Sequence, residues 1–84
     1  MKLLNEILQK AYQFSPNKIA VQWAEQSISY SSLWEKSHKL AVKLQEQGLK
    51  KGQLVGCYLP KSIEAIISLF AIFKAGGVYV PLDS

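Results

Sequence analysis

The residues of this 84-residue chain that could do chemistry are few and isolated. The only cysteine, Cys57, could act as a thiolate nucleophile, and the only histidine, His38, could act as a general base. Cys57 lies in an apolar run, where a thiol packs as a small hydrophobe more often than it reacts. His38 falls outside the apolar stripe of its predicted helix, so we expect it on the surface. One cysteine excludes an internal disulfide and cannot build a zinc site alone.

Phosphate binding is not indicated either. Gly76-Gly77 is not followed by the lysine and hydroxyl residues of a phosphate loop. Lys61 and Lys74 could be phosphate ligands, but single lysines at helix ends more often interact with solvent or with the helix dipole. The sequence therefore predicts no catalytic, cofactor-binding or metal-binding residue.

Composition limits the class of protein. Hydrophobic residues make up 49% of the chain, which argues against disorder, yet a chain this short buries only about 60–65% of the surface that its unfolded form exposes. The net charge is +4, and all ten basic residues are lysine, whereas nucleic-acid readers favour the planar fork of arginine. We expect no nucleic-acid partner.

The N-terminus lacks a secretory signal, and the most apolar stretch is too short to cross a bilayer, so we expect a cytoplasmic protein without a membrane partner.

The first third of the chain predicts a helix and a β-hairpin. One helical face is expected to carry the apolar residues Leu4, Ile7, Leu8 and Ala11, and Pro16 ends the helix. The strand that follows is expected to place Ile19, Val21 and Trp23 on one face, and the chain returns through residues 27–30. The turn between these strands lacks an Asn-Gly type signal.

A second helix is better marked. Ser32 and Glu35 have the spacing of a capping box, although Ser31 could equally be the N-cap. Gly48 is expected to end this helix in a left-handed conformation. The apolar stripe consists of Leu33, Ser37, Leu40, Ala41 and Leu44, and the opposite, solvated face carries Lys36, Lys39, Lys43 and Glu46.

The last part predicts a strand–helix–strand crossover. Residues 54–59 form an apolar strand, Ser62 caps a helix that runs to Lys74-Ala75, and Gly76-Gly77 ends that helix. Residues 78–80 form a final strand, from which Pro81 leads out. Two strands joined by a helix imply a parallel pair. The fold class is therefore layered α/β, in the order helix, β-hairpin, helix, strand, helix, strand.

The third helix is apolar around most of its circumference, with a narrow polar strip near Glu64 and Ser68. A helix of this kind is buried on nearly all sides. Seven large apolar side chains represent a gain on the order of 10–20 kcal/mol when they are fully buried. The remainder of the chain is too small to cover them all, which predicts that more protein surrounds this helix. These side chains are Ile63, Ile66, Ile67, Leu69, Phe70, Ile72 and Phe73.

A family resemblance agrees with that expectation. Residues 73–83, Phe-Lys-Ala-Gly-Gly-Val-Tyr-Val-Pro-Leu-Asp, resemble the second core motif of amino-acid adenylation domains in nonribosomal peptide synthetases. Residues 28–33 are similar to the first core motif, with Ser32 where the family more often has glutamate. Residues 14–21, 48–56 and 62–73 resemble the intervening segments in family order. The Asp83-Ser84 pair also resembles the Asp-Ser of carrier proteins, but that site needs a following helix, and carrier domains are acidic.

The resemblance implies that residues 1–84 are an N-terminal fragment of the large subdomain of an adenylate-forming enzyme. The complete enzyme joins a carboxylate substrate to ATP, with Mg²⁺, and passes the acyl group to a carrier thiol. The family's functional motifs lie beyond residue 84, so the fragment is expected to be scaffold whose partners are a larger chain with the remainder of the domain and a downstream carrier protein.

Two questions stay open at this stage. Met1 suggests a true N-terminus, whereas the C-terminus could reflect a natural split, a cleaved loop or a cut sequence. The alternative function is a non-enzymatic interaction module, or relic, that docks through its apolar helix.

Overall fold

A computed structural model describes residues 2–57 and 62–82 of the chain. Within these ranges three helices and two two-stranded sheets follow one another in the predicted order. The elements are α1 (Lys2–Phe14), β1 (Ile19–Trp23), β2 (Gln26–Ser29), α2 (Tyr30–Glu46), β3 (Leu54–Cys57), α3 (Ile63–Lys74) and β4 (Val78–Pro81). The predicted residues 58 and 59 of the third strand lie outside the described residues.

The predicted hairpin is confirmed, because β1 and β2 pair antiparallel with Trp23 opposite Gln26. The connection is a two-residue turn in which Ala24 has φ 55°. Hairpin turns of this length require positive φ, and alanine adopts it here in place of the glycine or asparagine that would do so more readily. The strand register shifts between Ile19 and Val21. Ile19 pairs with Ser29 and Val21 pairs with Ile28, which are adjacent residues of β2 on opposite faces of the hairpin. The prediction that Ile19 and Val21 share one face is therefore wrong.

The start of α2 differs from the prediction. The N-cap is Ser29, whose hydroxyl accepts a hydrogen bond from the backbone N–H of Ser32 at 3.1 Å. Neither Ser31 nor Ser32 caps the helix, because β2 leads directly into it and helical geometry already begins at Tyr30. The capping-box spacing of Ser32 and Glu35 therefore lies one turn inside the helix.

We expect Ser29→Ala to lower the free energy of unfolding by about 1 kcal/mol, because the Ser32 N–H loses the side-chain oxygen that caps it. Ser31→Ala is the matched control and should change the free energy of unfolding by less than about 0.5 kcal/mol. Urea denaturation of both variants measures the difference. An equal loss in the two variants would show that Ser29 is not the N-cap.

Helices α2 and α3 end in the same way, as the glycines predicted. Gly48 and Gly76 have φ 101° and 89°, in the left-handed region that favours glycine. In α2 the N–H groups of Gly48 and Leu49 donate to the carbonyls of Gln45 and Leu44. Corresponding bonds close α3, from Gly76 to Phe73 and from Gly77 to Ile72. This pair of bonds is the Schellman motif, which satisfies carbonyls that a helix end would otherwise leave unpaired.

The predicted crossover is also confirmed: Ser62 caps α3 by accepting from the Ala65 N–H, and β3 pairs parallel with β4. The pairing runs one residue further than predicted. Pro81 still lies opposite Cys57, and the Leu82 N–H donates to the Cys57 carbonyl at 2.9 Å. A proline fits at this position because alternate N–H groups of the strand face β3. The Leu82 N–H does so, and the nitrogen of Pro81 therefore faces away from β3.

The core has two parts, and α3 contributes to both. One cluster joins α1, β2, α2 and the start of α3 through Leu8, Ile28, Leu33 and Ile63. The other joins α2 to the end of α3 through Ala41, Ala71 and Ala75, whose small side chains allow close helix approach. As a result, α3 contacts every other element described.

The predicted faces of the other two helices are only partly confirmed. In α2, the stripe residues Leu33, Ser37 and Ala41 are buried and the predicted lysine face is exposed. In α1, Leu8 is buried but Ile7 is 56% exposed. Adjacent residues of a helix point about 100° apart, so one narrow packing face cannot hold both.

Candidate interaction surface

Cys57 and His38, the residues with potential chemistry, have separate placements, one in packing and one at the surface. Cys57 is half-buried at the end of β3, and burial raises the pKa of its thiol, which disfavours the reactive thiolate. His38 is exposed on α2. Both placements agree with the predicted packing and surface roles. Lys61, Asp83 and Ser84 lie outside the described residues.

Neither a metal site nor a membrane span is present in the part of the chain that the structure describes. No group of three or more His, Cys, Asp or Glu side chains is placed there to hold a metal ion. None of the three helices has the length and apolar content to cross a bilayer.

Lys74 was a candidate phosphate ligand, but its ammonium group points at protein. Its Nζ atom lies 3.3 Å from the centroid of the Trp34 ring and donates to the Trp34 carbonyl at 3.2 Å. The ring of Tyr12 also stacks on the ring of Trp34, and the two ring centroids are 5.3 Å apart. The three side chains connect α1, α2 and α3. Lys74 therefore links α3 to α2 through the ring and the carbonyl of Trp34.

Burial lowers the pKa of the Lys74 ammonium from 10.5 to about 8, because desolvation disfavours its charged form. A lowered pKa means that the unfolded chain holds the proton more tightly. We therefore expect the free energy of unfolding to rise modestly as the pH increases from 8 towards 10. Denaturation at pH 7, 8 and 9.5 measures this slope. Lys74→Met should flatten it, and exposed Lys39→Met should not; an unchanged slope in Lys74→Met would refute the assignment.

An apolar groove lies on α3 between β1 and β4, and we call it the α3 groove. Its floor is one stripe of α3 with the spacing i, i+3, i+4 and i+7, and its walls come from β1 and β4. The open volume is about 320 Å³. Among the residues that the structure describes, the lining includes no charged side chain, and Trp23 is 48% exposed. The lining residues are Val21, Trp23, Ser62, Ala65, Ile66, Leu69 and Tyr79.

Apolar surface is also exposed on the sheet of β3 and β4. Leu54 and Val78 lie opposite each other in the parallel register and are 68% and 44% exposed. Leu82, just beyond β4, is 49% exposed. Parallel sheets are almost always covered on both faces, so this exposed face is atypical of a complete domain.

A third exposed apolar surface lies on α1, where Ile7 and Phe14 are seven residues apart and so share one side of the helix. Phe14 is 81% exposed.

The sequence predicted part of this surface and missed the rest. The apolar circumference of α3 indicated that some of its sides would lack cover, and its large side chains Ile66, Leu69 and Phe70 are indeed only half-buried. The groove walls were missed, because they form only when the hairpin and β4 pack on either side of α3. The alternation of Val21 and Trp23 in β1 was the one available signal.

Comparison with known proteins identifies the family. Residues 8–84 match the family described as AMP-binding enzyme. Syringomycin synthase SyrB1 of Pseudomonas syringae pv. syringae is 42% identical over 80 residues, which cover 95% of this chain and 13% of that protein. The chain thus spans about an eighth of this relative's length.

Solved structures show the same fold. The N-terminal subdomain of Klebsiella oxytoca NpsA matches with a TM-score of 0.88 and 32% identity, over 96% of this chain and 21% of that one. An artificially fused adenylation–PCP di-domain, NpsA-ThdA from the same organism, matches with a TM-score of 0.90 and 32% identity, over 96% and 15% of the two chains. This chain belongs to the AMP-binding enzyme family, and its fold is that of part of the N-terminal subdomain of an adenylation domain.

Proposed function

We propose that this chain is a structural part of an enzyme that activates a carboxylate substrate, most simply an amino acid, with ATP to give an acyl-adenylate and pyrophosphate. The acyl group then passes to the thiol of a carrier protein. The single observation that supports this most strongly is the match of residues 8–84 to AMP-binding enzymes together with the NpsA subdomain fold. ATP as co-substrate would place the enzyme in the cytoplasm.

The chain acts as scaffold in this proposal. Its described residues do not fit a site for Mg²⁺, since they offer no cluster of acidic ligands. They also contain no glycine-rich loop that could cradle the phosphates of ATP. We therefore assign ATP and Mg²⁺ binding to the remainder of the domain, and expect residues 1–84 alone to be inactive.

The exposed apolar surfaces support a partner that covers them. They occur on three different parts of the fold: on α1, in the α3 groove and on the β3–β4 sheet. A carrier protein is the proposed acceptor of the acyl group, because the matching NpsA-ThdA structure is an adenylation–PCP di-domain.

The test is to tag this chain in its own genetic context, with the downstream sequence intact, and to identify by mass the polypeptide that carries the tag or co-purifies with it. We expect a much larger polypeptide that contains a phosphate loop, and ATP–pyrophosphate exchange that depends on a carboxylate substrate. The 84 residues alone should show no exchange. Mixing them with the separately made remainder should restore it, and exchange by the remainder alone at the same rate would contradict the scaffold role.

A second candidate is a non-enzymatic interaction module. The exposure of Phe14 and Trp23 favours it, because such surface also suits docking to an unrelated protein. Cooperative unfolding of the isolated chain as a monomer or dimer, with no larger polypeptide attached, would support this candidate.

A further inference from the structure

We draw no further inference here: the strongest candidate, the side-chain cluster of Tyr12, Trp34 and Lys74 that joins α1, α2 and α3, carries none, because only the lowered pKa of Lys74 points to a reactive amine there.

Discussion

Gly77→Val is expected to lower the free energy of unfolding by at least about 1–3 kcal/mol, the usual cost of overpacking. A Cβ atom at Gly77 would lie 3.1 Å from Ile72 Cγ2, 3.2 Å from the Gln53 carbonyl oxygen and 3.2 Å from Leu49 Cδ2. Valine adds two further methyl groups in the same space. The carbonyl cannot move freely, because it already accepts from the Val78 N–H at 2.8 Å. Urea denaturation, with the midpoint and slope both measured, gives the change.

Gly56→Val is the matched control, because Gly56 lies in the adjacent strand of the same sheet. Among the described residues, the three atoms nearest to an added Cβ there all belong to the Leu82 side chain, the closest at 3.1 Å. That side chain is 49% exposed and can turn towards solvent. We expect a change below about 0.5 kcal/mol. Equal losses in the two valine variants would show that close backbone approach at Gly77 is unimportant.

Leu33→Ala is expected to lower the free energy of unfolding by about 2–5 kcal/mol, because apolar burial is lost and a cavity is left behind. Leu33 is 2% exposed and lies in the cluster that joins α1, the hairpin, α2 and α3. At the usual 0.05–0.15 kcal/mol per residue, an 84-residue chain has a total stability of about 4–13 kcal/mol. The substitution should therefore remove a large fraction of that stability, and thermal denaturation should show a lowered midpoint.

Leu54→Ala makes the same chemical change at a side chain that is 68% exposed. In the isolated chain we expect it to alter the free energy of unfolding by less than about 0.5 kcal/mol. If it costs as much as Leu33→Ala, the core is not where the structure places it.

Local sequence signals predicted the elements that depend on local chemistry. Ser62 as the N-cap of α3 and Gly48 and Gly76 as helix ends were all predicted, because capping and left-handed turns involve residues within one helical turn. The parallel pair followed from the strand–helix–strand order. The start of α2 was mispredicted, because Ser31 and Ser32 suit an N-cap by residue type, and only the point at which β2 ends selects Ser29 instead.

Features that depend on packing were harder to predict. The register shift after Ile19 leaves no mark in composition, and Ala24 takes a conformation that its residue type disfavours. In the same way, the excess of apolar residues in α3 predicted that a partner is needed, but not which side of the helix stays open. That side is set by the positions of Trp23 and Tyr79, which lie 49 residues before and seven residues after Ile72 in the sequence. Only the folded topology brings these two side chains to the same groove on α3.

The position of α3 has a consequence for how the chain opens. Because α3 contacts all the other described elements, its separation from them removes both core clusters at once. The amides of α3 should therefore exchange with deuterium only through global unfolding, whereas the two-stranded hairpin can open by itself. Slow exchange along α3 would report the stability of the whole chain, and faster exchange in the hairpin would report a separate, local equilibrium.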